Sequence, residues 1–272
     1  MKQHARSILA VVASALLASC GQASTPTPSA SPVPASPSAS AASTGSPTPS
    51  ASPPPATLPQ GSEPVVLDPA RFAGVAIDNP FWPMAKGSKW IYRETDADGA
   101  ELRVEVTVTD QTREIVGITA TVVHDVLTED GEIVEDTFDW YAQDATGNLW
   151  YLGEDTKEFE AGKVVSTEGS WEAGVDGAQP GILLPAVPEV GMSYRQEFYA
   201  GQAEDSAEIL SLNEHADVAA GSYDGLLQTK ETTALEPDVV EQKFYARGVG
   251  EVQAVQISGG TSREELISFT PG

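Results

Sequence analysis

The stretch Glu101-Leu102-Arg103-Val104-Glu105-Val106-Thr107-Val108-Thr109-Asp110 decides the fold, because apolar and polar residues alternate through it without a break. A period of two is typical of a strand with one buried face and one solvated face. Leu102 and the three valines are therefore predicted to face a core. The residues Asp96-Ala97-Asp98-Gly99 precede the stretch and predict a hairpin turn, with a positive φ at the glycine.

The same rhythm continues along the chain to Phe269, and no segment shows helical periodicity over three turns. The sequence predicts an all-β fold: a single antiparallel meander of about a dozen strands, preceded by a disordered linker. Such a sheet is expected to curl into a barrel, a half-barrel or a sandwich, because so many strands rarely stay open. Residues 172–192 are rich in glycine and proline and predict little regular structure.

The N-terminus carries a different pattern, which predicts where the protein resides. Basic residues at Lys2 and Arg6 precede an apolar run of about ten residues, which is shorter than the roughly 20 that a membrane-spanning helix needs. Small residues then lead to Cys20, the sole cysteine of the chain. This layout is typical of a secretory signal peptide, here residues 1–19.

With its cysteine at the cleavage point, the segment Leu17-Ala18-Ser19-Cys20 resembles a bacterial lipoprotein lipobox. The resemblance implies a diacylglyceryl thioether on Cys20, fatty-acyl chains such as palmitate, and cleavage before the cysteine. Two or three acyl chains hold a protein on a membrane without a spanning helix. The expected location is the cell envelope, facing outward from the plasma membrane or from an outer membrane.

Composition divides the remainder into a tether and a domain. Residues 20–62 are nearly all Ser, Pro, Ala and Thr and predict a disordered tether with a reach on the order of 100 Å. Every Phe, Trp and Tyr lies from Phe72 onward, so residues 63–272 are predicted to form one acidic, β-rich domain. A chain of this length buries enough surface to need no disulfide.

The charge balance excludes some partners. Removing Lys2 and Arg6 leaves 13 basic side chains against 40 acidic ones, near −27. Binding to nucleic acid or to anionic lipid needs basic patches, so neither is expected. Cations, basic proteins and neutral molecules stay open as partners, as does a simple role of the charge in solubility. The sequence leaves the oligomeric state open.

Aromatic residues cluster between positions 138 and 171, and they give the first candidate site. Trp140, Trp150 and Trp171 are predicted to line a groove that binds a ligand. The glycine-rich loop 169–181 is the most distinctive of the chain, and it either closes over a pocket or covers an open end of the sheet.

The segment from Asp144 to Trp150 resembles the D-x-x-G-N-x-W repeat of bacterial β-propeller sensors, but it occurs only once, whereas propellers repeat it. The simpler interpretation is a tight hairpin, with Asp144 bonded to the amides of the turn. The alternative is a calcium site built from Asp144, Asn148, Glu154 and Asp155, since calcium prefers oxygen ligands.

Catalytic signatures are weak. His124 and His215 are the only histidines after the signal, and no metalloprotease, nucleophile-elbow or phosphate-loop motif occurs. Paired carboxylates hydrolyse glycosidic bonds, and Asp136, Asp139 and Glu154 are the first candidates for such a pair. An envelope hydrolase is therefore an alternative to a non-enzymatic binding module, and a calcium-stabilised structural module is a third possibility.

The C-terminal segment Tyr245-Ala246-Arg247-Gly248-Val249-Gly250 is similar to the Y-A-x-G-V-G hairpin that ends many uncharacterised bacterial secreted and lipoprotein domains. The wider stretch 79–269 resembles one such family of lipoproteins. The resemblance implies an antiparallel sheet and supplies no activity. The sequence thus predicts an envelope lipoprotein that binds a ligand or partner of unknown specificity.

Overall fold

The computed structural model describes residues 58–97 and 99–272, and the predicted all-β fold is confirmed in them. A single 3₁₀ turn at Pro69–Arg71 precedes the sheet. The strands are β1 Lys89–Thr95, β2 Glu101–Ile115, β3 Ile118–Glu129, β4 Glu132–Gln143, β5 Leu149–Glu160, β6 Lys163–Ser166, β7 Trp171–Glu172, β8 Gln179–Leu184, β9 Ser193–Arg195, β10 Glu197–Phe198, β11 Asp205–Val218, β12 Gly221–Thr233, β13 Val240–Ala246, β14 Gly250–Ser258 and β15 Arg263–Thr270. The predicted signal peptide, Cys20 and the predicted tether up to residue 57 lie outside the described residues.

The strands form one antiparallel sheet that nearly closes into a barrel. Its order is β10-β8-β5-β4-β3-β2-β1-β15-β14-β13-β12-β11-β9, with β6 and β7 also paired to β5. The first strand therefore pairs with the last, and the two edges are β9 and β10, which follow each other in the chain. One extended stretch, residues 193–198, bonds to β11 through its first half and to β8 through its second half.

The register places one residue set inside this barrel. Val104 lies opposite Tyr92 on β1 and opposite Leu127 on β3, and all three side chains are buried. Cross-strand partners share a face of the sheet, so the alternation predicted for residues 101–110 points into the interior. Leu102, Val104, Val106 and Val108 are all buried, as expected from their spacing.

One end of the barrel is covered by the segment before β1. The Trp82 indole packs against Trp90 at 6.3 Å and against Tyr245 at 5.9 Å between ring centroids. The amide of Gly248 donates to the Pro80 carbonyl and holds this segment to the β13–β14 turn. Asn79 is 1% exposed and fixes the bend, since its Oδ1 accepts from the Phe81 amide.

Among the described residues, 58–62 already contact the barrel, although they precede the domain start placed at residue 63. The buried Arg195 side chain donates through Nη1 to the carbonyls of Gly61 and Glu63, at 2.7 and 2.8 Å. Its Nη2 donates to Pro180 on β8, and its amide donates to Pro59. Arg195 therefore joins the end of the predicted tether to the barrel seam.

The expectation of little regular structure in residues 172–192 is wrong for two parts of that range. Residues Gln179–Leu184 form β8, and Glu172 belongs to β7, which pairs with β5. The apolar run Ile182-Leu183-Leu184 is buried against the sheet rather than placed in a loop. Gly181 permits the close approach of β8 to the stretch 193–198, because a Cβ at residue 181 would lie 2.1 Å from the Gln196 carbonyl oxygen.

Candidate functional site

The barrel interior is strongly acidic. Nine Asp and Glu side chains of the described residues are less than a tenth exposed, against only two basic side chains, Lys243 and Arg195. Eight of the nine point into the interior or toward its seam, and the ninth, Asp144, lies in a turn. We call these eight the acidic interior: Glu94, Glu135, Asp139, Glu154, Glu197, Glu231, Glu251 and Glu264.

Cross-strand pairing brings these carboxyls together. Glu94 lies opposite Glu264 across β1 and β15, and Asp139 lies opposite Glu154 across β4 and β5. Burial, followed by repulsion from neighbouring carboxylates, raises the pKa of Glu94 to about 8. Burial raises the pKa of Asp139 to about 7, although the hydrogen bond from Tyr151 acts to lower that pKa. The interior therefore holds protons at neutral pH.

The Asp139–Glu154 pair shows why a proton is needed. The Tyr151 hydroxyl lies 2.7 Å from Asp139 Oδ1 and 2.9 Å from Glu154 Oε2. A phenol has one proton to donate, so its second carboxyl contact requires that carboxyl to be protonated. Burial and then the Glu197 carboxylate raise the pKa of Glu154 well above its ordinary value.

Lys243 is the one ammonium in the acidic interior. Its Nζ lies 3.2 Å from Glu231 Oε2 and 3.5 Å from Glu241 Oε2. Burial lowers the pKa of Lys243, but Glu231, Glu241 and Glu251 outweigh it and raise that pKa well above its ordinary value. The amine is therefore a permanent cation and not a nucleophile at neutral pH.

A cavity opens beside Glu251 and Glu264 of the acidic interior. About 330 Å³ of space lies between its walls when the open solvent at its mouth is included, and the part closed off from solvent has room for about one water molecule. One set of walls is apolar or aromatic and the other is acidic. The lining residues are Trp82, Tyr92, Val106, Val123, Tyr141, Asp125, Asp139, Glu251 and Glu264.

Glu251 is the least satisfied group on this lining. Its side chain is 2% exposed, and neither carboxylate oxygen receives a hydrogen bond from a donor in the described part of the chain. Its polar neighbour is the Glu264 carboxyl, and those two groups bond only when one is protonated. Burial raises the pKa of Glu251 to about 8. Among the described residues, the cavity wall therefore presents two Glu251 oxygens without a donor, together with the Trp82 indole N–H, which lacks an acceptor.

The three tryptophans predicted to line a groove are 4 to 8% exposed. Trp150 Nε1 donates to Asp144 Oδ2 at 3.1 Å, and Trp171 Nε1 donates to Glu197 Oε2 at 2.6 Å. Trp140 lies on the opposite face of β4 from Asp139, under the Arg113 guanidinium at 4.0 Å. None of the three lines the cavity, and ligand binding by them stays a prediction.

The four residues of the calcium prediction fall into separate environments. Asp144 and Asn148 bond to each other at 3.2 Å in the β4–β5 turn. Glu154 faces the interior, and Asp155 pairs with Lys157 at 2.8 Å. Over residues 58–97 and 99–272, no three His, Cys, Asp or Glu side chains are grouped closely enough to hold a metal ion. Calcium binding stays a prediction.

The carboxylates proposed for hydrolysis are also divided. Asp136 lies on the outer side of β4, where Oδ1 contacts His124 Nε2 at 2.5 Å. Asp139 and Glu154 face inward at 5% and 1% exposure. His215 lies apart from them, between Asp217 and Asp224 near the β11–β12 turn. The structure brings Asp139 and Glu154 together and leaves Asp136 and His215 elsewhere.

Most of the acidic interior was missed from the sequence, although a signal existed. Glu94 continues the inward series Trp90-x-Tyr92-x, and Asp125, which is on the cavity lining although outside the acidic interior, lies opposite Val106. Had the alternation been continued through each acidic position, it would have assigned both residues to the inward face. Glu251 had no such signal, because a bulge between Phe244 and Tyr245 sets its direction.

Comparisons with known proteins identify no family. No protein-family model matches the sequence, and no curated protein matches it. Among solved structures, the chain is similar to a protein from Bacteroides fragilis assigned as exported, with a YmcC-like fold, at 14% identity and a TM-score of 0.42. It is also similar to a protein from Parabacteroides distasonis assigned as a lipoprotein, at 12% identity and a TM-score of 0.39. Each alignment covers 70% of this chain and 98% of the other.

The described residues, 58–97 and 99–272, include no helix with the length and apolar character needed to cross a bilayer.

Proposed function

We propose that this protein is a lipoprotein of the bacterial cell envelope, anchored through Cys20 and facing outward, whose β domain is a non-enzymatic ligand-binding module. The basic start, the short apolar run and the cysteine at the cleavage point support the anchor. The Ser/Pro-rich segment that follows supports a tether between the membrane and the domain.

The observation that carries ligand binding is the cavity beside Glu251. A buried polar group without a partner costs roughly 1–3 kcal/mol, and a charged one costs more. A fold that keeps such a group on a cavity wall gains stability whenever a bound molecule supplies the missing donor. Concave, mostly apolar clefts with a few convergent polar groups are also the usual form of a small-molecule site, and this cavity opens to solvent at its mouth.

The geometry of the carboxylates favours binding over hydrolysis. Asp139 Oδ1 and Glu154 Oε2 share the Tyr151 hydroxyl inside the barrel, at 2.7 and 2.9 Å, and both side chains are buried. A glycosidase needs one carboxyl on each side of a bound sugar, separated by roughly 5 to 9 Å. Here the buried Tyr151 hydroxyl, and not a sugar, occupies the position between the two carboxyls.

The anchor is tested by expressing the full chain and a Cys20→Ser variant in a bacterial host supplied with labelled palmitate. The native chain is expected to carry label and to partition into detergent. The variant is expected to lose both properties. Label that persists in Cys20→Ser would contradict the anchor.

Ligand binding is tested by native mass spectrometry of the full chain purified from membranes in detergent. A small-molecule adduct is expected on the native chain. Val106→Phe fills the cavity and should remove the adduct, whereas Val104→Phe, two residues along the same face, should retain it. Melting temperatures establish that both variants are folded. An adduct that survives Val106→Phe, or its absence from the native chain, would contradict the proposed site.

A further inference from the structure

We propose that the cavity beside Glu251 and Glu264 binds the primary ammonium group of a small organic amine. This inference rests on the proposed function and names the class of ligand. An ammonium group offers three N–H donors and no acceptor, which complements the Glu251 carboxyl, whose two oxygens lack a hydrogen-bond donor among the described residues. It is also close in size to the one water molecule that the enclosed part accommodates.

The two kinds of cavity wall favour an amine that carries a carbon chain. Acidic groups form one part, and Val106, Val123 and the rings of Trp82, Tyr92 and Tyr141 form the other. Aromatic faces attract cations, and apolar walls bury methylene groups. An inorganic ion would use only the acidic part of this lining.

Lys243 shows that this interior accommodates an alkylammonium group. Its side chain is a four-carbon stem ending in an ammonium, and it lies buried with Nζ between Glu231 and Glu241. The Glu251 carboxylate contributes to the charge that stabilises it. The cavity repeats the same ingredients, carboxyl oxygens beside aromatic and aliphatic surface, and its lining residues include no Lys or Arg.

A divalent metal ion fits this lining less well. Calcium takes six to eight oxygen ligands at about 2.3–2.6 Å. Over the described ranges, 58–97 and 99–272, no three acidic or histidine side chains converge in that way. An ammonium needs only two or three acceptors, which the Glu251 and Glu264 carboxyls supply.

The test is calorimetric titration of the full chain, in non-ionic detergent and a buffer without primary amines, with n-butylamine as the probe. This amine reproduces the lysine side chain and is protonated at pH 7. Saturable binding is expected, with release of protons to the buffer, because the ammonium replaces the proton shared by Glu251 and Glu264. The neutral analogue n-butanol is expected to bind at least tenfold more weakly.

Two lining variants locate the site. Glu251→Gln and Glu264→Gln each remove a negative charge while keeping the shape of a protonated carboxyl, so the fold is expected to hold. Each should weaken n-butylamine binding by roughly tenfold to a hundredfold, the effect of losing a charged hydrogen bond. Glu135→Gln is the matched control, since Glu135 is buried in the same interior but does not line the cavity. Its affinity should stay within about twofold.

Several results would overturn the inference: no saturable binding of n-butylamine, equal binding of n-butanol, or an equal loss in Glu135→Gln. Calcium that binds in place of the amine would do the same. The outcome is separable from that of the proposed function. A neutral or apolar adduct that Val106→Phe removes would leave the binding module standing while excluding an amine as its ligand.

Discussion

At the scale of single residues, two buried carboxyls have pKa values shifted in opposite directions, and the number of their hydrogen-bond donors explains the difference. Asp144 accepts from five donors: the Thr146 amide and hydroxyl, the Asn148 amide and side chain, and Trp150 Nε1. Burial raises the pKa of Asp144, but these bonds outweigh it and lower that pKa below its ordinary value. Glu251 has only the Glu264 carboxyl as a polar neighbour, and burial raises its pKa to about 8.

Replacing Asp144 tests how much the hydrogen bonds to its carboxylate stabilise the β4–β5 turn. Asp144→Ala should lower the free energy of unfolding by about 3 kcal/mol, because hydrogen bonds to a charged group are worth about 1.5–3 kcal/mol and buried donors lose their acceptor. Chemical denaturation with urea measures the loss. Asp155→Ala is the control: its side chain is 48% exposed and pairs only with Lys157, so a loss below about 1 kcal/mol is expected.

The same preparation tests the calcium prediction. Since donors of the protein already occupy the Asp144 oxygens, chelation with EDTA should leave the melting temperature of the native chain unchanged. A melting temperature that falls with EDTA and recovers with calcium would instead support a calcium-stabilised module.

Among the elements, β5 has the most demanding position. It pairs with β4 along one edge and with β6, β7 and β8 along the other. Gly153 makes this possible at the β7 crossing, where its φ is +131° and a Cβ would lie 2.2 Å from the Trp171 carbonyl oxygen. The strand therefore depends on one residue without a side chain.

Gly153→Ala should lower the free energy of unfolding by about 3 kcal/mol or more, because backbone strain and a main-chain clash add together. Gly162→Ala is the matched control in the β5–β6 turn. Its φ is +73°, and no atom lies within 4 Å of the added Cβ. It should cost about 1–2 kcal/mol from conformation alone. Equal losses in the two variants would contradict the close approach of β7.

At the scale of the whole molecule, the acidic interior makes folding take up protons. The pKa values of Glu94 and Glu251 rise from 4.5 to about 8 on folding, and that of Glu135 rises to about 7. Between pH 4.5 and 8 the native state therefore binds more protons than the unfolded state. Stability must fall as pH rises through this window, by about 1.4 kcal/mol per pH unit for each full proton taken up.

The prediction is a melting temperature that decreases from pH 5 to pH 8 and levels off above the folded-state pKa values. Glu94→Gln, which cannot ionise, should show a shallower decrease over the same range. Below pH 4 the trend should reverse, because the lowered pKa values of Asp144 and Glu105 add stability that protonation removes. A melting temperature that rises between pH 5 and 8 would contradict this account of the interior.

The sequence by itself determined the fold class and most strand positions, because a period of two is a local property that survives any arrangement of the strands. Leu102 to Val108 face inward as their alternation requires. The turn at Asp144 was equally predictable from the sequence, since the hydrogen bonds to the Asp144 carboxylate come from residues no more than six positions away. The composition change before the domain was also local, although the described residues 58–62 already contact the barrel.

Only the tertiary structure decided how the sheet closes and what its interior contains. Pairing of β1 with β15, and the seam at residues 193–198, join residues far apart in sequence. The acidic interior depends on those pairings, because Glu94 meets Glu264 only across the first and last strands. The exposure of the three tryptophans was likewise not a local property. Whether an acidic residue faces water or another carboxyl depends on what lies across the barrel, which no local pattern encodes.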